Sequence, residues 1–274
     1  MRLVEGIWGS AADDIYAVGR NGNLSHSTGD GTWVDQTTDT SANLTGIWGS
    51  GRDDIYVSVN ANVILHSTGD GEWEHQDYEA GYTFDGVWGI DADNVYLVGP
   101  GVVRGGAGGW GSPQAVSAAA PTFAIWGSSP TDLYVTLGAA AASSVYGSNG
   151  DGSWQSQLNA PKGTSADAIW GLDPSHIWLG AGYNVFFSTG KGDWTAQLTT
   201  PSPQRVNALW GADAESVYAC TQSGFFYRSN GRGVWSDGQD IDADLNVSCL
   251  AIWGTGPDDI YVGTSGGIYH GTLE

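Results

Sequence analysis

The chain has almost no methionine, few cations and only two cysteines, and each shortage removes a class of protein. Nine Lys and Arg stand against 30 Asp and Glu, a formal net charge of −21. Neither counterion release nor attraction to an anionic surface is open to so acidic a chain, so no nucleic-acid partner is expected. No stretch approaches the roughly 18 to 20 consecutive apolar residues of a helical membrane span, and no membrane insertion is expected either. Cys220 and Cys249 are too few for a disulfide framework or a zinc cluster. They read as small buried residues, with a bond between the sixth and seventh repeats as the alternative. Met1 to Trp8 runs straight into the first repeat, so no signal peptide is expected in this chain. Low Lys, acidity and abundant Gly, Ser and Thr favour a secreted or cell-surface setting.

What is present is glycine, 43 residues, and tryptophan, 14, with charged residues only 14%. That balance suits short strands joined by tight turns rather than helices. A Trp-Gly pair recurs at Trp8, Trp48, Trp88, Trp126, Trp170, Trp210 and Trp253, spaced by 40, 40, 38, 44, 40 and 43 residues. A second aromatic follows each pair at fixed distance: Tyr16, Tyr56, Tyr96, Tyr134, Trp178, Tyr218 and Tyr261. A Gly-rich turn then leads into Trp33, Trp73, Trp110, Trp154, Trp194 and Trp235. Repeats of this length, each holding four short strands, are the pattern of propeller blades. The fold expected is all-β: a single seven-bladed β-propeller over residues 1–274, with blades starting near 3, 43, 83, 121, 165, 205 and 248.

Alternation in the first strand supplies a reason for the ring to close. Gly or Ala stands two residues before each Trp, on its side of the pleat; Ile, Val or Leu stands one before, on the side of the following Gly. Each Trp can therefore lie over a neighbouring blade's glycine. After Tyr261 no closing turn and Trp remain. Blade 7 is accordingly expected to have three strands, with Trp8 and Trp253 closing the ring by packing.

The unit from Leu44 through Trp73 resembles the Asp-box (BNR-type) propeller repeats of sialidases and of photosystem II assembly-factor-like proteins, and more closely the Trp-Gly-Ser propeller repeats of bacterial surface proteins. The resemblance implies the fold and makes the box a structural turn. Ser27, Gly29, Asp30, Gly31 and Trp33 form a version one residue shorter than the family's, repeated at Ser67 to Trp73 and Ser148 to Trp154. It decays at Gly105 to Trp110, and Lys191 and Arg232 replace the Asp. The Asp is expected to cap turn N–H groups. A sialidase would need three inner-strand arginines; of this chain's, only Arg205 and Arg2 stand near a first strand, so that clamp is missing.

Three positions before each Trp, at the expected channel mouth, stand Glu5, Thr45, Asp85, Phe123, Asp167, Asn207 and Leu250. The carboxylates read first as a solvated acidic mouth. The alternatives are a calcium site or an acid–base pair of a glycoside hydrolase or lyase. Asp240, Asp242 and Asp244 alternate like the start of an EF-hand loop, but Leu245 occupies the glycine position; they are a weak calcium candidate, and calcium is the one cofactor considered. His26, His66 and His270 sit at equivalent third-strand positions in separate blades and read as repeat residues. No catalytic residue is assigned. The least repetitive loops hold Arg20, Asn21, Asn60, Asn62, Tyr82, Tyr183 and Gln222, whose rings and amides suit sugars. The expected function is non-catalytic, lectin-like binding of multivalent glycan, with a protein ligand as the alternative.

Overall fold

A computed structural model describes residues 3–79, 81–117, 120–138, 145–158, 164–242 and 246–271. They form seven antiparallel sheets arranged as a propeller, with no helix among the described residues. Blade 1 sets the pattern: β1 (Val4–Ala11), β2 (Asp14–Gly19), β3 (Leu24–Ser27) and β4 (Val34–Gln36), in that order from the axis outward. β2 is buried along its whole length because blades pack on both of its faces, whereas β4 is exposed at the rim.

Register explains the Trp-Gly pair. Trp8 pairs with Tyr16 across β1 and β2, and Gly9 with Ile15. A Cβ added to Gly49 would lie 2.6 Å from Trp8 Cη2, and one on Gly89 would lie 2.5 Å from Trp48 Cη2. Trp126, Trp170, Trp210 and Trp253 cover Gly171, Gly211, Gly254 and Gly9 in the same way. Only glycine leaves room for these rings. The exception is Gly127, which faces Leu133 instead. The closing tryptophans form a second, outer set of contacts between blades. Trp73 meets Tyr16 edge-on at 6.1 Å, Trp110 meets Tyr56 at 5.8 Å and Trp194 meets Tyr134 at 6.3 Å.

Blade 7 has three strands, Cys249–Gly256, Asp259–Thr264 and Ile268–Gly271. The other six carry a fourth segment, though in blade 3 it is drawn down to the bridged pair Val102 and Gln114. Beyond that pair, the Gly111 N–H donates to the Arg104 carbonyl at 2.9 Å. The ring closes by packing, as the alternation requires. Val4 belongs to blade 1, paired with Gly19, while Trp253 lies over Gly9 and Trp33 meets Tyr261 at 6.4 Å.

The cysteines correct the first reading. Both are fully buried, but Cys220 and Cys249 form a disulfide with Cα atoms 5.9 Å apart. The end of the second strand of blade 6 and the start of the inner strand of blade 7 bring them within bonding range. The bond staples the three-stranded blade to its neighbour.

Candidate functional site: the axial mouth and its loops

The four-strand meander gives the ring two unlike faces. On one lie the turns between first and second strands and the closing turns. On the other lie the starts of the inner strands, the loops between second and third strands, and the connections between blades.

The first face is built by local hydrogen bonds. Gly29 N–H donates to Ser27 Oγ at 3.2 Å and Thr32 N–H to Asp30 Oδ1 at 2.8 Å. Blades 2 and 4 repeat both bonds through Ser67 and Asp70, and through Ser148 and Asp151. Blade 6 keeps the serine bond, Gly231 N–H to Ser229 Oγ at 3.0 Å, but Arg232 stands in place of the acid. Asn230, at the position of Thr28, caps the turn instead, its Oδ1 accepting from Arg232 N–H at 3.0 Å and Val234 N–H at 3.4 Å. Gly29 and Gly31 have φ of 79° and 83°, a left-handed backbone that favours glycine. The Asp of the box is therefore the turn cap that the resemblance implies.

Near this face lies a network that sequence reading missed. The Ser10 hydroxyl donates to Asp14 Oδ2 at 2.5 Å, and His26 Nε2 lies 2.9 Å from Asp14 Oδ1. Ser50, Asp54 and His66 repeat this in blade 2, and Thr255, Asp259 and His270 in blade 7. The carboxylate stands between hydroxyl and imidazole. A nucleophilic triad needs the imidazole in the middle to take the hydroxyl's proton, so these sets are structural. Each imidazole also lies on a tyrosine, with centroids 4.4, 4.6 and 4.0 Å apart for His26, His66 and His270. The signal was present in sequence as a hydroxyl four residues before the Asp.

The second face gathers the mouth candidates. Glu5, Thr45, Asp85, Phe123, Asp167, Asn207 and Leu250 all line one axial cavity of about 350 Å3. Their surroundings differ. Glu5 is paired with Arg20 at 3.1 Å. Asp167 Oδ2 accepts the Ser165 hydroxyl at 3.0 Å and lies 3.6 Å from Arg205, whose guanidinium also bonds Ser165. Asn207 donates to the Cys249 carbonyl at 3.0 Å, and the Thr45 hydroxyl to the Phe84 carbonyl at 2.9 Å. Asp85 has neither a hydrogen bond nor an ion pair through its carboxylate among the described residues, and burial pushes its carboxyl above the ordinary 3.8. Burial also pushes Asp167 up, with the Ser165 hydroxyl and Arg205 pulling it back. An acid–base pair needs two carboxyls held apart in pKa, one raised and one low. These two are displaced in the same direction.

The loop candidates share this face. Arg20 and Asn21 lie between β2 and β3, and Asn21, at φ 58°, donates its N–H to Asn43 Oδ1 at 3.2 Å. Asn60 and Asn62 hold the equivalent loop of blade 2, where Asn62 Nδ2 donates to the Tyr78 carbonyl at 3.4 Å. Tyr183 and Gln222 hold it in blades 5 and 6. Tyr82 is not an open platform. Its ring is half-buried in a cluster with Tyr78 at 5.3 Å and Phe84 at 5.7 Å. Tyr183, at 38% exposure, is the one candidate ring that faces solvent.

The acids before blade 7 lie on the connection from blade 6, outside the axial cavity. Asp240 caps the Asp242 N–H at 3.1 Å, and Asp242 Oδ2 accepts the Tyr269 hydroxyl at 2.7 Å. Asp244 lies outside the described residues. Among the described residues no three acids, histidines or cysteines are grouped as a metal site.

No protein-family model matches the chain, and no curated protein matches it by sequence. Solved structures do. A virginiamycin B lyase from Staphylococcus aureus superposes with a TM-score of 0.85 at 15% identity, over 100% of this chain and 98% of that one. YCF48 bound to D1 peptide gives 0.77 at 15%, over 100% and 94%. A GH74 xyloglucanase from Xanthomonas campestris gives 0.79 at 15%, over 98% of this chain and 52% of that one. At such identities the likeness establishes the propeller and leaves the ligand to the chain's own residues.

Proposed function

We propose that this protein is a non-catalytic recognition propeller that binds a protein partner, taking a lysine or arginine of that partner into the axial mouth. The carrying observation is Asp85, a half-buried carboxylate lining the axial cavity without a partner while Glu5 and Asp167 each have an arginine beside them. A buried charge is costly unless it is paired, so an incoming cation gains what the free protein lacks. The chain's charge of −21 steers cationic segments toward it. YCF48, a propeller of the same architecture, is described as bound to a peptide, which makes protein recognition by such a ring reasonable.

The glycan reading retains one observation, the exposed ring of Tyr183 on the same face. Sugars stack on aromatic rings, but Tyr82 is occupied by its own cluster and the platform is reduced to a single residue. Two probes separate the readings: a lysine- and arginine-rich peptide, and a panel of neutral oligosaccharides, each titrated by calorimetry at low and moderate salt. Peptide binding that weakens with salt supports the proposal; sugar binding lost in Tyr183→Ala, with no peptide binding, would replace it. Turnover of a glycoside or lyase substrate that disappears in Asp85→Asn would place the protein among the enzymes instead.

A further inference from the structure

Every blade sets one third-strand residue opposite the aromatic of its second strand. Pairing fixes these positions: Tyr16 faces His26, Tyr56 faces His66, and Tyr261 faces His270. Tyr96 faces Arg104 and Tyr218 faces Arg228, whose guanidinium carbon lies 5.7 Å from the ring centroid. Trp178 faces Phe187. In six blades, then, the residue facing the aromatic carries a planar group, and the group lies against the ring at His26, His66, His270, Phe187 and Arg228. Blade 4 is the exception. Tyr134 faces Gly147.

The rest of the blade 4 slot is intact. The Ser128 hydroxyl donates to Asp132 Oδ2 at 2.5 Å, as Ser10 does to Asp14. Tyr134 lies 6.2 Å from Trp126 and meets Trp194 edge-on at 6.3 Å, matching the 6.4 and 6.1 Å between Tyr16 and its partners Trp8 and Trp73. Among the described residues no imidazole or guanidinium reaches Asp132 Oδ1, the oxygen equivalent to the one facing imidazole in blades 1, 2 and 7; the neighbouring Tyr134 hydroxyl is the group that feels the carboxylate. What the missing side chain leaves is a cavity of about 250 Å3, lined by Asp132, Tyr134, Gly147, Ser148, Gln155 and Gln157 among others. It holds a tyrosine, a carboxylate and the three amides of Asn149, Gln155 and Gln157, and it lies toward the face opposite the axial mouth.

We propose that this notch is a binding site for a planar nitrogen cation, a guanidinium or an imidazolium, which stacks on Tyr134 and donates to Asp132. The chemistry is that of the slot itself. Imidazole lies on the tyrosine in three blades and the Arg228 guanidinium does so in blade 6. A charge-assisted bond to the carboxylate and a cation over the ring supply the attraction. The amide oxygens of Gln155 and Gln157 offer further acceptors to a guanidinium. The cation comes either as a free small molecule or as the arginine or histidine side chain of a protein segment.

The test is a titration followed by NMR at the Gly147 and Ser148 amides. The probes are N-methylguanidinium, imidazole at pH 6 and pH 8, and the tripeptides Gly-Arg-Gly and Gly-Lys-Gly. Expected are saturable shifts with N-methylguanidinium and Gly-Arg-Gly, weaker ones with Gly-Lys-Gly, and several-fold tighter imidazole binding at pH 6, where the ring is charged. Asp132→Asn should weaken binding about tenfold or more. Gly147→His should abolish it by filling the notch; the nearest obstacle to a Cβ there is the movable Gln157 side chain, at 3.0 Å. If Gly147→His does not fold, Asp132→Asn decides alone. Tighter binding of Gly-Arg-Gly than of N-methylguanidinium assigns the site to a protein segment, and equal binding assigns it to a small cation. No saturable shift with either cation, or undiminished binding in Asp132→Asn, overturns the proposal.

Discussion

The two faces of the ring differ in how strictly the seven copies agree. On the face of the closing turns, a serine hydroxyl accepts the equivalent glycine N–H in blades 1, 2, 4, 5 and 6, as at Ser27 and Gly29 or Ser67 and Gly69. On the mouth face, equivalent positions hold Glu5, Thr45, Asp85, Phe123, Asp167, Asn207 and Leu250. Framework positions repeat because each blade must meet its neighbour in the same geometry. The mouth positions line the axis and take different partners from blade to blade, so packing does not force them to match. Regularity thus marks what holds the ring, and irregularity marks where a ligand can be distinguished.

Three variants test that division, in falling order of effect. Trp48→Ala removes a ring packed against Gly89 and should cost about 3–5 kcal/mol by chemical denaturation. A loss below about 1 kcal/mol would mean that the Trp-Gly ring is not the framework. Joint replacement of Cys220 and Cys249 by serine opens a link spanning 29 residues and should cost about 3–4 kcal/mol. Stability equal to that of the parent under oxidising conditions would remove the staple from the account. Asp85→Asn should act in the opposite direction and raise the melting temperature at pH 7. Because the folded protein holds this proton more tightly than the unfolded chain, ionising Asp85 destabilises the fold as pH rises through its raised pKa. The gain from Asn should therefore shrink as pH falls and vanish below the ordinary 3.8, where the carboxyl is neutral in both states. A gain independent of pH would refute the buried-charge assignment.

Much of the fold was legible because the chain repeats its own instructions. Seven Trp-Gly pairs, their fixed partners and the absent last turn predicted both the ring and its three-stranded blade. What escaped were features spread over several strands. The cysteine bond stood in the sequence only as an alternative between the sixth and seventh repeats, because it depends on how those blades abut. Ser10, Asp14 and His26 come from three strands, and only their register makes them a unit. Gly147 is harder still, since its meaning is a missing side chain that shows only against its six counterparts. At the mouth, sequence placed Glu5, Asp85, Asp167 and Asn207 together but did not show that Arg20 reaches Glu5, or that Asp85 is left alone. The structure also takes Tyr82 out of the open surface and leaves Tyr183 there.

The most direct test measures the dissociation constant of one lysine- and arginine-rich peptide for the parent, Asp85→Asn and Asp30→Ala. Asp30 caps a turn on the opposite face. The account predicts at least about a tenfold loss in Asp85→Asn, from removal of a charge-assisted contact, and no change in Asp30→Ala. Equal losses in both variants, or full binding in Asp85→Asn, would contradict it.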